Sequence, residues 1–202
     1  MSSPRSSLRT AGVAVRSMLV LTAVLGVGYP LVVTGIGQLA LPAPANGSVV
    51  TDGGAPIGSS LIGQSFTDAE GNPLPEWFQS RPSAAGDGYD GGASSGSNLG
   101  PENPDLIAAI EERREQVADF NGVDPASIPA DALTASASGL DPHISPEYAF
   151  LQVDRVAAER GLSVAEVRSL VESAVQQRDV GFLGESTVNV LALNLALQGL
   201  EG

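Results

Sequence analysis

The chain of 202 residues has a formal net charge of −13, with 10 basic residues, all arginine, against 23 acidic ones, and it contains no cysteine. The absence of cysteine excludes a disulfide framework, a thiolate metal site and a lipid-modified cysteine. The length suggests an anchor plus one domain of roughly 150 residues, which can bury a core without a disulfide or a metal.

The charge is unevenly distributed along the chain. Residues 1–51 hold three arginines and no acid, a charge of +3, whereas residues 52–202 hold seven arginines and 23 acids, a charge of −16. A nucleic-acid binder must neutralise phosphates with basic side chains, so a nucleic-acid partner is excluded. The acidic part is typical of a solvated surface that aids solubility.

An uncharged, apolar run of 25 residues covers residues 17–41. As a helix it would be about 37 Å long, against about 30 Å for the hydrocarbon core of a bilayer. We expect a transmembrane helix over 17–41, in which Pro30 is tolerated. The positive-inside rule then predicts a single-pass membrane protein, with a basic cytoplasmic N-terminus at 1–16 and the C-terminal domain outside.

A cleaved signal peptide is the alternative, with Ala43-Pro44-Ala45 as a candidate cleavage site. The apolar run is about twice the usual ~7–15 residues of a signal peptide, which favours a retained anchor. The run also contains several glycines: Gly26, Gly28, Gly35 and Gly37. They favour close packing on other membrane helices, although membrane helices are rich in glycine in general.

Residues 42–58 are rich in proline and glycine and are predicted to be a linker. The alternation in residues 60–66 predicts a strand, and residues 77–79 a second short one. Residues 81–100 include six glycines and four serines. A phosphate-binding P-loop is excluded because the chain has no lysine. A flexible surface loop is favoured there over an ordered contact loop.

Helix signals dominate the rest of the chain. Asn103-Pro104 and Ser145-Pro146 are typical helix starts, and Gly161 is a typical helix end. Ser163 with Glu166 matches a capping box. The apolar residues 188–200 predict a short strand that continues into a helix. An outer α+β domain over residues 59–202 follows from these elements.

The chain has one histidine, His143, which is flanked by serines and by Asp141. A hydrolase triad would have to form within one short loop, and G-x-S-x-G is missing. One histidine without cysteine is also a poor metal site. We therefore predict no catalytic residue and no metal, and we expect the serines and aspartate to stabilise a turn before the helix that starts at Ser145.

Several sequence blocks occur in the order and at the spacing of a known family. They are Gly28-Tyr29-Pro30-Leu31-Val32, Leu61-Ile62-Gly63-Gln64, Arg81-Pro82-Ser83-Ala84, Ser97-Asn98-Leu99-Gly100-Pro101 with Asn103-Pro104, Leu133-Thr134-Ala135-Ser136 running to Ser145, and Val188-Asn189-Val190-Leu191. In these blocks the chain resembles the KdpC family, the C subunits of the Kdp high-affinity potassium-transporting P-type ATPase.

The resemblance implies an accessory, non-catalytic subunit needed for assembly of a complex in the inner (plasma) membrane. Its partners would be a potassium-binding channel-like subunit, an ATP-hydrolysing P-type subunit and a small membrane peptide. The residues it suggests for partner contacts are Gly28, Tyr29, Pro30, Gly35, Arg81, Ser97, Asn98, Gly100 and Asn103.

The resemblance also implies a catalytic chaperone that raises the ATP affinity of the pump subunit. No cofactor would be bound firmly. ATP held by the partner subunit would contact Ser136, Ser138 and Gly139 of this chain. The alternative is an outer cap or gate over the potassium entrance without a nucleotide role.

Overall fold

The computed structural model describes residues 4–200, with side chains from residue 8 onward. The chain divides after Val49 into two compact units. The first unit is a long helix followed by a short helical turn, and the second is an α+β domain.

The first unit consists of α1 (Pro4–Leu21), a π-helical segment (Thr22–Gly28), α2 (Tyr29–Ala40) and the short α3 (Pro42–Ala45). Among the described residues, one helix, Leu8–Ala40, is long and apolar enough to cross a membrane, and none of it is buried. It contains almost all of the predicted span 17–41 and extends further toward the N-terminus. The exposed apolar side chains are those expected of a helix that contacts lipid or other membrane helices.

Pro30 lies inside this helix without ending it. Proline lacks a backbone N–H, and its ring would clash with the carbonyl four residues earlier. The Tyr29 N–H donates to the Val24 carbonyl, five residues back, so the turn before Pro30 is wider than an α-helical turn. Such π-helical turns are one way in which a helix accommodates a local distortion.

The second unit begins within β1 (Val49–Asp52), which pairs with β2 (Ala55–Ser59) in a two-stranded sheet. The remaining elements are α4 (Pro104–Asn121), a 3-10 turn (Pro125–Ser127), α5 (Ala130–Leu133), β3 (His143–Ile144), α6 (Pro146–Leu151), α7 (Val153–Arg160), α8 (Val164–Ala174), β4 (Val175–Gln176), β5 (Thr187–Asn189) and α9 (Val190–Gln198). Strands β3, β5 and β4 form an antiparallel sheet in that order, with Val188 opposite both Ile144 and Val175. The α+β prediction is confirmed.

The predicted helix ends are confirmed by their hydrogen bonds. The side chain of Asn103 accepts from the Asp105 N–H, and that of Ser145 accepts from the Tyr148 N–H. Ser163 and Glu166 form the reciprocal capping box. Gly161 ends α7 with a φ of +65°, a conformation that glycine adopts without the penalty paid by other residues.

The core is formed by the inner faces of α6, α7, α8 and α9 and by β5. Its fully buried side chains include Phe78, Val153, Val156, Val167, Val171, Val188, Leu193 and Leu197. All but one belong to the helices and strands of the C-terminal half. Phe78 is the exception, because it enters the core from a segment without regular structure.

The segment 42–58, for which we predict a linker, contains α3 and most of the β1–β2 hairpin. Two strand predictions that follow it were wrong. Residues 60–66 and 77–79 are not strands, and residues 60–103, all of which the structure describes, hold only isolated β-bridges. Several peptide groups of this segment pair with side chains that are remote in sequence, which sequence periodicity does not reveal.

The backbone groups of Phe78 and Gln79 pair with two side-chain amides, in the way that a strand pairs with a neighbouring strand. Asn194 Oδ1 accepts from the Phe78 N–H and Asn194 Nδ2 donates to the Phe78 carbonyl, both at 3.0 Å. Gln152 pairs with Gln79 in the same way, at 2.7 and 3.2 Å. We call these contacts the amide pairs. Asn194 and Gln152 are both buried.

Two arginines of α7 hold the residues just before the amide pairs. Arg155 is buried and donates to the carbonyls of Pro75 and Trp77 and to the side chains of Asn121 and Gln152. Its guanidinium lies 4.4 Å from the centre of the Phe120 ring. Arg160 donates to the Glu76 carbonyl at 2.7 Å and covers the Trp77 ring.

Candidate functional site

The segment from Thr134 to Ser145 forms a tight polar turn between α5 and α6. The Gly139 N–H donates to the Ser136 carbonyl at 3.2 Å, and Ser138 Oγ accepts from the Leu140 N–H at 3.1 Å. The turn ends where Asp131 accepts from both the N–H and the hydroxyl of Ser145, at 2.7 and 2.8 Å. The expectation that serines and aspartates stabilise this turn is confirmed.

The glycine-rich segment 81–100 packs onto this turn. Ser95 N–H and Ser94 Oγ both donate to the Ser138 carbonyl at 2.9 Å, and Ser83 Oγ donates to the Gly139 carbonyl at 2.6 Å. The prediction of a flexible surface loop was therefore wrong, because much of the loop is held by these hydrogen bonds. The ordered loop was the less favoured alternative.

Gly139 is required by this packing. Its φ is +68°, and a Cβ added there would lie 2.5 Å from the Ser95 carbonyl oxygen and 2.8 Å from the Ala85 side chain. The absence of a side chain at Gly139 is thus explained by close contact with the glycine-rich loop.

Arg81 joins the loop to the turn through its charged end. Its guanidinium donates to Asp141 Oδ2 at 3.1 Å and to the Thr134 carbonyl at 3.3 Å. Tyr89 OH donates to the Arg81 carbonyl at 2.8 Å, and burial raises the pKa of Tyr89 to about 12. Tyr89 therefore remains a neutral hydrogen-bond donor at physiological pH.

Two open depressions lie beside the Arg81–Asp141 pair. The larger, of about 560 Å³, is lined by Leu61, Ile62, Arg81, Ala135, Ser136, Ala137, Ser138, Leu140, Asp141 and Pro142. The other, of about 390 Å³, also reaches Arg81 and Asp141 and is further lined by His143, Ser145, Glu147 and Glu185. The larger depression is lined by Ser136 and Ser138, two of the three residues proposed to contact ATP.

The larger depression offers few groups that could bind a polyphosphate. Among the described residues that line it, Arg81 is the one cation, and its guanidinium is already engaged with Asp141 and Thr134. Ser136 is nearly buried, with its hydroxyl 3.4 Å from that of Ser138. Phosphate sites typically combine free basic groups with several backbone N–H donors.

The residues proposed as partner contacts fall into three places. In the long helix, Tyr29, Pro30 and Gly35 are exposed and Gly28 is partly so. In the second unit, Ser97, Asn98 and Gly100 form an exposed stretch at the end of the glycine-rich loop. Asn103 caps α4, and Arg81 is engaged inside the domain, so both have structural roles whether or not a partner contacts them.

The carboxylate of Asp141 is stabilised in its charged form. The hydrogen bond with His143 is the main cause that lowers its pKa; partial burial opposes this and the charge of Arg81 adds to it. His143 Nδ1 lies 3.4 Å from Asp141 Oδ1. A folded-state pKa below the ordinary value of about 3.9 means that Asp141 stabilises the fold above that pH and loses this effect as the pH falls further.

We expect Asp141→Asn to lower the melting temperature of the full chain at pH 7 by about 1 to 3 °C, because a partly exposed ion pair contributes little to stability. The difference from the unchanged chain should persist down to about pH 4 and shrink below it. Melting curves between pH 7 and pH 3 measure this. A difference that stayed constant down to pH 3 would show that the charge of Asp141 is not the cause.

Sequence reasoning missed the buried polar side chains. Asn194 interrupts the apolar sequence of α9, and Gln152 stands between the apolar faces of α6 and α7. A polar residue within an apolar helix face is a usable signal, since buried amides are almost always hydrogen-bonded. The sequence does not reveal their partners, which lie 116 and 73 residues away.

Comparison with known proteins gives one consistent family. The family described as "KdpC: K+-transporting ATPase, c chain" matches residues 11–199. A protein of Kineococcus radiotolerans named potassium-transporting ATPase KdpC subunit is 56% identical over 191 residues, which is 95% of this chain and 94% of the relative. Proteins of the same name from Beijerinckia indica and Mycobacterium tuberculosis are 51% and 50% identical, over 90% and 93% of this chain and 89% and 96% of those relatives.

Proposed function

Because the chain belongs to the KdpC family, the c chain of K+-transporting ATPases, we propose that it serves such a complex as a membrane-anchored accessory subunit that acts through protein contacts. Its own relatives carry the name of a subunit, which supports a role inside a larger complex. In this proposal the chain supplies no catalytic group. Its partners are a potassium-binding channel-like subunit, an ATP-hydrolysing P-type subunit and a small membrane peptide.

The long helix is the proposed anchor. Arg9 and Arg16 lie at its N-terminal side and the run that follows is uncharged, so the positive-inside rule favours an N-terminus in the cytoplasm and the α+β unit outside. Gly28, Tyr29, Pro30 and Gly35 are proposed to contact membrane helices of the partners, since small residues allow close approach.

The ordered glycine-rich loop is the observation that carries the proposed contact role. Ser83, Ser94 and Ser95 bond to the turn around Gly139, and the loop continues into the exposed stretch 97–100. A loop that is preorganised loses less conformational freedom when a partner binds it. We propose that this surface contacts a partner near the potassium entrance, where it acts as a cap or gate.

The second candidate is a catalytic chaperone that raises the ATP affinity of the pump subunit. The depression beside Ser136 and Ser138 favours it, because this is an open concave site next to an arginine. Two observations argue against it: Arg81 already donates to Asp141 and Thr134, and the surroundings are acidic. A unit with a charge of −16 would repel a nucleotide.

The contact role is tested by removing residues 50–202 and keeping the anchor unit, and the chaperone role by ATP labelling. We expect the truncated chain to fail to co-purify with the other subunits, and high-affinity potassium uptake to be lost. Potassium-limited growth and subunit yield measure this. In the complete complex, a photoreactive ATP analogue should label the ATP-hydrolysing subunit and leave this chain at background.

The control for the labelling is the double variant Ser136→Ala with Ser138→Ala. Suppose that this chain is labelled, that excess ATP removes the label, and that the double variant is not labelled. The chain would then contact ATP at these serines, as the chaperone role requires. Normal uptake by the truncated chain would contradict the contact role.

A further inference from the structure

The connection between β4 and β5 contains an exposed apolar turn. Within the described part of the second unit, Val180 and Phe182 are the two most exposed large apolar side chains, at 81% and 70%, and the neighbouring Leu183 is at 53%. We call these three residues the apolar tip. Most exposed apolar residues occur singly and need no explanation, whereas a cluster marks an interaction site.

The tip has a defined backbone. Asp179 and Leu183 exchange two backbone hydrogen bonds, each of 2.9 Å, and the Gly181 N–H donates to the Arg178 carbonyl at 3.0 Å. An ion pair between Arg178 and Glu185 closes the base of the turn. The chain therefore presents the three side chains on a closed turn.

Val180 adopts an unfavourable conformation at the end of the tip. Its φ is +53°, in the left-handed region, which β-branched residues rarely occupy. A strained residue of this kind usually persists where the surroundings enforce it, and such residues cluster at ligand-binding and switch regions. Here the hydrogen bonds of the closed turn hold Val180 in this conformation, and its side chain remains largely exposed at the end of the tip.

We propose that the apolar tip inserts into an apolar pocket, with a neutral or basic rim, on a neighbouring protein subunit. This inference rests on the proposed function as a subunit that acts through protein contacts. The charge of the unit distinguishes between two kinds of partner. Arg178 and Glu185 pair at the base of the tip, Asp179 adds an acidic group beside it, and the unit as a whole has a charge of −16. An anionic lipid surface would repel this unit, whereas a protein pocket with a neutral or basic rim would not.

The test uses Phe182→Asp in the full-length chain, expressed with the other subunits. We expect at least a tenfold lower yield of assembled complex, because a charge would be buried in an apolar pocket. The matched control is Val164→Asp. Val164 is also exposed, but it lies in the first turn of α8, where an acidic residue is favourable. The melting temperature of both variants should equal that of the unchanged chain.

A photoreactive benzoylphenylalanine in place of Phe182 identifies the occupant. It should crosslink to another subunit of the assembled complex, and the same group in place of Val164 should not. Crosslinking to lipid, in the complex or in vesicles of phosphatidylethanolamine and phosphatidylglycerol, would overturn the proposal.

Normal assembly of Phe182→Asp would also overturn it. If removal of residues 50–202 still abolished assembly, the proposed function would stand without the tip. If that truncation also assembled normally, both proposals would fail.

Discussion

Replacing Asn194 by leucine is expected to lower the free energy of unfolding of the α+β unit by about 3 to 5 kcal/mol. Asn194 and Phe78 are both almost fully buried. Leucine fills a similar volume, but it leaves the N–H and the carbonyl of Phe78 without partners in the core. Each buried, unsatisfied polar group costs about 1–3 kcal/mol.

Denaturant unfolding of the detergent-solubilised full chain measures the loss. Trp77 is the chain's single tryptophan and precedes Phe78 directly, so its fluorescence reports on this segment. The matched control is Gln116→Leu, in which an exposed amide on α4 is removed. It should change stability by less than about 0.5 kcal/mol. Equal effects of the two substitutions would show that the Asn194–Phe78 pair does not stabilise the fold.

Replacing Arg155 by methionine is expected to cost about 2 to 4 kcal/mol. The guanidinium satisfies oxygens from three separate parts of the chain, near Trp77, Asn121 and Gln152. Burial lowers the pKa of Arg155 to about 10, so the group remains charged at pH 7. Methionine keeps part of the packing on Phe120 and removes every donor.

Arg155→Lys tests whether the charge of Arg155 or the geometry of its hydrogen bonds stabilises the fold. A lysine keeps the charge, but its single ammonium group cannot reach the same set of oxygens. We expect it to recover less than half of the loss in the same unfolding experiment. Full recovery by lysine would indicate that the charge alone matters. The comparison variant is Arg114→Met, at a partly exposed position of α4, which should change stability by less than about 0.5 kcal/mol.

The helices were predictable because their signals are local. Asn103, Ser145 and Ser163 each cap the helix that begins beside them, and Gly161 ends the one that precedes it. The strand at 187–189 and the helix after it were also found, from the change between β-branched and helix-forming residues. A cap and its partner lie within four residues of each other, so sequence spacing contains the information.

The segment 60–100 was predicted poorly because its partners are remote. Phe78 and Gln79 look like strand residues, and their peptide groups are indeed paired, but with the side chains of Asn194 and Gln152. The glycine-rich loop was taken for a flexible one, since nothing near it in sequence shows that Ser83 and Ser95 bond to the turn at 138–139.

The candidate site could be located in part. The sequence indicated that the serines and Asp141 before Ser145 form a structured turn, and the hydrogen bonds agree. It gave no sign that Arg81 would join that turn from 60 residues away. The apolar tip was missed as well, because three apolar residues between two short strands resemble any apolar stretch until their exposure is known.

The amide pairs also set an order of events during synthesis. Phe78 leaves the ribosome 116 residues before Asn194, with which it pairs. At about 5–20 residues per second, this delay is about 6 to 23 s. Throughout it, the first part of the α+β unit has been made, but the peptide groups of Phe78 cannot yet pair with Asn194. Trp77 and Phe78 therefore lack their final packing partners until α9 has been synthesised.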